Sequence, residues 1–316
     1  MHSYTERIRE AAKRVLLEKR VDGVIGFRKG TVPFMNEPFL ALSPQQADLL
    51  VWDGNCAMNL ANYLPKRTDR VAVTAKGCDS RSIVIHLLEN QIRREQLYVL
   101  GIPCQGMTDK RKLADRLNGK GILGVEERGD ELRVYGRGFE YSFERGEFLQ
   151  ENCAVCEHKN PVLYDELLGE PVAEQQVDRY EEIRKIESMP PDRKRLFFED
   201  LVRPCIRCYA CRNACPACFC PTCFVDEKKP QWVGKTIDPT DTRTFHFLRA
   251  FHMAGRCTDC GSCERACPVG IRVRLFTRKL EKEIKELYGY EAGVILDERP
   301  PLEAFRPEDP EPFLDG

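Results

Sequence analysis

Seven of the sixteen cysteines in this chain fall in one stretch, CIRCYACRNACPACFCPTC, at positions 205–223. Four of them, Cys205, Cys208, Cys211 and Cys215, run up to Pro216. The same pattern recurs as Cys257, Cys260, Cys263 and Cys267 before Pro268. The spacing C-x2-C-x2-C-x3-C-P is that of thiolates holding cubane 4Fe-4S clusters. Two-residue gaps let one tight loop reach three irons. The proline after the fourth cysteine stops a regular hydrogen-bond ladder from continuing. Structural zinc also takes C-x2-C pairs, but as two pairs of thiols around one ion, which two evenly spaced triplets match poorly. The chemistry this pattern supports is one-electron transfer.

In two-cluster ferredoxins the fourth cysteine of each motif ligates the other cluster. The expected sets are therefore Cys205, Cys208 and Cys211 with Cys267, and Cys257, Cys260 and Cys263 with Cys215. A third set comprises Cys104 in PCQG and Cys153 and Cys156 in CAVC, completed by either Cys78 or Cys56. Cys218, Cys220 and Cys223 follow the first motif without pause. Together with whichever of Cys56 and Cys78 is left over they would form a fourth cluster; otherwise they are free thiols in a tight loop. Arg207, Arg212 and Arg265 lie between cluster cysteines, where positive charge favours a reduced cluster; the alternative is ordinary solvated arginines. His86 and His158 read as packed or surface histidines rather than ligands.

Composition agrees with a metal role for the thiols. A chain of 316 residues can bury an ordinary core and has no need of disulfides. With 49 Lys and Arg against 50 Asp and Glu it has no basic footprint for nucleic acid. The start, MHSYTERIREAAKRVLLEKR, is charged throughout and has no signal-peptide core, and no apolar run is long enough to span a bilayer. The expected location is cytoplasmic, where thiols stay reduced and clustered cysteines point to metal.

The elements that must position these thiols follow from periodicity. Residues 4–20 form an amphipathic helix with Ile8, Ala11, Ala12, Val15 and Leu16 on one face. Short strands at 21–27, 49–53, 71–75 and 98–102 alternate with loops and helices, the grammar of a parallel sheet. Cys56, Cys78 and Cys104 each follow one of these strands, so they would gather along one sheet edge. Residues 121–148 alternate as an antiparallel hairpin or meander. The expected organisation is an α/β parallel-sheet domain over 1–156, a helical linker at 157–200, a small α-rich dicluster ferredoxin-like domain at 201–275, and a helix with an acidic, proline-rich extended tail at 276–316.

One loop invites a second cofactor. In AKGCDSRSIVIHLLENQI, Lys76, Gly77, Asp79, Ser80 and Arg81 precede or open a helix, whose free amides and dipole favour an anion such as a flavin pyrophosphate. The competing reading is helix capping by Asp79 or Ser80.

KGCDSRSIV with LLENQI, then GIPCQG, then CAVC and NPVLYDELLG resemble the coenzyme F-420 hydrogenase/dehydrogenase beta-subunit family over roughly residues 20–170. The 201–270 part resembles dicluster ferredoxin modules fused to such subunits. The resemblance implies a 4Fe-4S cluster on Cys104, Cys153 and Cys156, FAD at the loop from Gly77 to Arg81, and partners of the formate dehydrogenase, hydrogenase or heterodisulfide-reductase kind. Two departures stand out. Ser80 and Arg81 replace a glycine pair, and the family's cysteine within 121–148 is missing, which implies that the fourth ligand has moved. The expected role is an iron–sulfur electron-transfer subunit; the alternative is a stand-alone flavoenzyme reducing a small substrate.

Overall fold

The computed structural model describes residues 2–303 and Pro307. The proline-rich tail lies mostly outside the described residues. The chain divides into two compact units: Met1–Ser80 with Asn90–Val177, and Arg81–Glu89 with Asp178–Gly316.

The first unit opens on α1 (His2–Leu17), which buries Ile8, Ala11, Ala12 and Val15, the i, i+3, i+4, i+7 stripe of an amphipathic helix. There follow β1 (Gly23–Lys29), β2 (Asn36–Ala41), α2 (Pro44–Ala47), β3 (Val71–Ala75), α3 (Gly77–Leu88), β4 (Leu97–Gly101) and α4 (Lys110–Arg116). Three antiparallel strands come next, β5 (Ile122–Arg128), β6 (Glu131–Gly136) and β7 (Phe139–Glu144), then α5 (Glu151–Ala154) and the two-residue β8 (Glu166–Leu167). The boundary between the units falls inside α3.

The main sheet has the order β2-β1-β3-β4-β8. β1, β3, β4 and β8 run parallel, and β3, VAVTA, is buried at every residue, as a central parallel strand must be. The sheet is mixed rather than purely parallel, because β2 pairs antiparallel with β1. Pro38 sits in β2, which is tolerable because β2 is an edge strand. The expected strand at 49–53 does not form. β2 fills one side of β1, and β3 pairs only with Gly23–Ile25 on the other. Leu50 and Val51 take the remaining edge by a single bridge to Arg28 and one hydrogen bond to Phe27. The meander over 121–148 forms as expected, with Gly129 and Gly138 at positive φ in its turns. It packs Leu132 and Val134 against Leu113 and Leu117 of the α4 region.

The described part of the second unit is helical: α6 (Glu181–Glu187), α7 (Pro191–Val202), α8 (Ala210–Asn213), α9 (Pro239–His252), α10 (Ser262–Ala266) and α11 (Arg274–Tyr288). Asp238 caps α9, accepting from Thr240 N, with Pro239 at its first position. Gly289 closes α11 in the left-handed conformation. One core cluster joins Cys211 and Cys267 to Val225, Phe245, Ile271 and Val273, so the cysteine loops are part of the hydrophobic core.

Candidate metal centres

The two cysteine motifs of the second unit share a backbone design. In Cys205–Cys211 the third and fifth residues, Arg207 and Tyr209, have φ of 54° and 59°. In Cys257–Cys263 the same positions, Asp259 and Gly261, have φ of 51° and 73°. Two left-handed residues in each loop coil the chain so that amides face inward, the nest geometry that receives anions and iron–sulfur groups. Each loop runs into a short helix, α8 or α10, and the two helices pack together.

Each fourth cysteine lies near sulfurs of the other motif. Cys205 and Cys211 both have Cys267 as an electrostatic neighbour. Cys257 and Cys263 both have Cys215. A small cavity is lined by Cys205, Cys208, Cys211 and Cys267. All sixteen cysteines are free, and among the described residues no three cysteine sulfurs lie within 4.8 Å of one another. Four thiolates around a zinc ion at about 2.3 Å would be about 3.8 Å apart. No three of these sulfurs are that close, so they are not gathered around one tetrahedral ion.

Hydrogen bonds and charges shape each set. Arg207 N donates to Cys205 Sγ at 3.4 Å, and Ile271 N to Cys267 Sγ at 3.3 Å. His246 Nε2, from α9, lies 3.3 Å from Cys205 Sγ. Burial, with Arg249 and Arg207 nearby, pushes His246 down to about 4, so the ring is neutral at pH 7. In the second loop Asp259 receives Arg274 at 2.5 and 3.1 Å and Arg278 at 2.6 Å. Burial alone would raise its carboxyl, but these guanidinium groups hold it well below the usual range. α11 thereby clamps the Cys257–Cys263 loop. Arg212 pairs with Asp226, and Arg265 donates to the Cys260 carbonyl, so neither is merely solvated. His86 is packed, with Nε2 2.8 Å from the Pro216 carbonyl.

In the first unit the strand ends and the meander together build a second sulfur region. Cys104 follows β4, and its N donates to Lys159 O. Arg145 donates to the carbonyls of Gln105 and Gly106, and Glu127 of β5 accepts from Thr108 Oγ1 and Gly54 N, which fixes the PCQG loop. Cys153 lies on α5. Burial pushes the Cys104 thiol up to about 12; Cys153 and Cys156 add to the rise and Lys76 eases it. A thiolate there needs a metal's charge to form. Cys78 and Cys104 both act on the ammonium of Lys76, and Lys76 in turn acts on Cys56. Cys56 has hydrogen-bond partners of its own. It is fully buried and its Sγ accepts from Asn36 Nδ2 at 3.2 Å and Asp53 N at 3.4 Å. Burial, reinforced by Asp53, pushes its thiol up to about 12.

The residues expected to cradle a flavin are occupied by the protein itself. α3 begins at Gly77, so they form its first turn rather than a loop. Lys76 Nζ pairs with Asp79 Oδ2 at 2.8 Å, both groups buried. Asp79 also accepts from Lys76 N and Leu60 N, and Ser80 Oγ donates to Gly77 O and accepts from Val162 N. Arg81 Nε donates to Ala292 O. A Cβ on Gly77 would meet His158 O at 2.1 Å, so the glycine serves a backbone crossing. These groups do not fit an open phosphate cradle.

Of the three remaining cysteines, Cys218 has Cys223 as an electrostatic neighbour. Cys218 hydrogen-bonds Cys215, Cys223 meets the Arg212 guanidinium and packs on the core, and Cys220 is exposed. Cys56 is enclosed by Asn36, Val51 and Asp53.

Residues 201–271 match the family of 4Fe-4S dicluster domains. A curated F420-dependent formate dehydrogenase subunit beta from Methanocaldococcus jannaschii is 25% identical over 346 residues, 89% of this chain and 90% of that protein. The F420-dependent formate dehydrogenase 1 subunit beta of Methanococcus maripaludis is 29% identical over 356 residues, 91% and 90% of the two lengths. Both relatives are named as beta subunits of F420-dependent formate dehydrogenases, and they support the resemblance to the coenzyme F-420 hydrogenase/dehydrogenase beta-subunit family. Among solved structures, a chain of the F420-reducing [NiFe] hydrogenase complex from Methanosarcina barkeri has a TM-score of 0.40 and 17% identity, covering 65% of this chain and 86% of its own. No helix among the described residues is long and apolar enough to cross a membrane.

Sequence reasoning missed His246 and Arg249. Both lie on α9, between the motifs, and the only available signal was polar residues on the buried face of a helix flanked by cluster cysteines.

Proposed function

We propose that this chain is the electron-relaying iron–sulfur subunit of a multi-subunit cytoplasmic oxidoreductase. One cluster is held by Cys205, Cys208, Cys211 and Cys267, a second by Cys257, Cys260, Cys263 and Cys215, and a third by Cys78, Cys104, Cys153 and Cys156. The observation that carries the reading is the matched pair of left-handed loops, each fourth cysteine lying near sulfurs of the other motif. When bound, clusters of this type take and return one electron at a time.

The chain's own residues do the rest. The inward amides and the neutral imidazole of His246 offer hydrogen bonds to sulfur, which favour the reduced form. The Arg274–Asp259–Arg278 clamp holds the second loop's shape through the charge change. Cys208 is exposed, and Ile206 and Val269 line the same cavity while reaching solvent, which makes the first set the surface-facing member of its unit. The relatives are named as formate dehydrogenase subunits, so the proposed partner is the catalytic subunit of such an enzyme. No flavin step is included, because Lys76, Gly77, Asp79, Ser80 and Arg81 are engaged within the fold.

The test is anaerobic co-expression with a formate-oxidising catalytic subunit. Formate should bleach the visible absorption of the complex and leave the isolated chain unchanged. Turnover of a small substrate by the isolated chain would contradict the relay role.

A further inference from the structure

Among the buried arginines of the second unit, most have a carboxylate: Arg179 has Glu281 and Glu291, Arg274 has Asp259 and Glu264, and Arg278 has Asp259. Arg249 has none among the described residues. It is 4% exposed, its one hydrogen bond runs from an Nη to the Cys211 carbonyl at 3.0 Å, and its Nε is without a partner. Its electrostatic neighbours are Cys215, Cys263, Cys218 and Cys211. Cys215 and Cys263 belong to one exchanged set and Cys211 to the other, while Cys218 lies outside both. α9 thus inserts one permanent cation between the two loops, three residues after His246.

A buried unpaired guanidinium is costly, and a neutral side chain could satisfy one carbonyl far more cheaply. The charge needs a counter-charge, and the local candidates are thiolates. A cubane with four thiolate ligands carries net negative charge that increases by one on reduction. Resting on the relay reading above, we infer that Arg249 is a shared electrostatic tuner, a cation that stabilises the reduced form of both clusters of the dicluster unit. It is a positioning residue: it touches neither an iron ligand's sulfur by hydrogen bond nor any substrate.

The test uses the full-length protein, purified anaerobically, with wild type, Arg249→Gln and Arg249→Lys. The readouts are iron content and a potentiometric titration followed by electron paramagnetic resonance. With Gln, which keeps a donor and loses the charge, both dicluster potentials should fall by at least a tenfold change in the reduction equilibrium, 59 mV for one electron. With Lys the fall should be smaller. Gln failing to load iron while Lys loads it would also support a charge requirement. Clusters present in Gln at unchanged potentials would overturn the inference, as would failure of both variants to load, which would make Arg249 a packing element. An iron-free wild type would overturn the relay reading itself, and this inference with it.

Discussion

His246 Nε2 stands 3.3 Å from Cys205 Sγ, 41 residues away along the chain. The imidazole is neutral, so against a thiolate it must carry its hydrogen on Nε2. This is a neutral donor aimed at one ligand of one cluster, packed between Phe245 and Phe276.

His246→Phe keeps the aromatic packing and removes the donor. Loss of a hydrogen bond to a charged sulfur should lower the potential of the Cys205 cluster by about tenfold in equilibrium constant, ~59 mV for one electron. The Cys257 cluster should be nearly unmoved. Redox titration of the variant checks this, and equal shifts in both clusters would count against a local hydrogen bond.

Asp259→Asn should be severe. It leaves Arg274 and Arg278 buried beside the second loop without their shared partner, although Glu264 still pairs with Arg274. Breaking a buried pair from one side costs about 3–5 kcal/mol. The second cluster should be lost first, leaving about eight irons per chain of about twelve. Iron analysis with thermal unfolding measures both effects.

Cys56 and Cys78 should behave oppositely. Cys78→Ser should remove the first-unit cluster. Cys56→Ala should keep every iron and cost about 1–2 kcal/mol for the small cavity and the lost contacts to Asn36 and Asp53. The reverse pattern of iron loss would reassign the fourth ligand.

His86 makes stability depend on pH. Burial pushes it down to about 4 from its ordinary 6.5, while the Pro216 carbonyl works the other way. Because the folded value is the lower one, the unfolded chain binds the extra proton between these limits. The contribution is full above pH 6.5 and is lost as pH falls toward 4, up to about 3 kcal/mol. His86→Phe should be less stable at pH 7 by about 1 kcal/mol for the lost hydrogen bond, and should lose less on acidification. Urea unfolding at pH 7 and pH 5 separates the two.

The cysteine spacing was legible in the chain because cluster loops are local: three ligands sit within seven residues, and the wrapping needs only two left-handed positions. α1 and the meander were legible for the same reason, since their periodicities are short. Pro38 concealed β2, because proline argues against a strand unless the strand is known to be an edge. The apolar run at 49–53 resembled a strand, but β1 offered it only a short stretch of free edge. Gly77 looked like a phosphate-loop glycine, and its actual reason, the passage of the His158 carbonyl, comes from a segment 81 residues later. Asn36, whose amide meets Cys56 Sγ, lies outside any motif and gave no signal in the sequence. His246 and Arg249 became visible only when α9 was placed between the loops.

The most direct test of the account is the metal and acid-labile sulfide content of the anaerobically purified chain. Three cubanes predict about twelve irons and about twelve sulfides per polypeptide, with no stoichiometric zinc. A pale protein holding zinc, or one with iron but no labile sulfide, would contradict it.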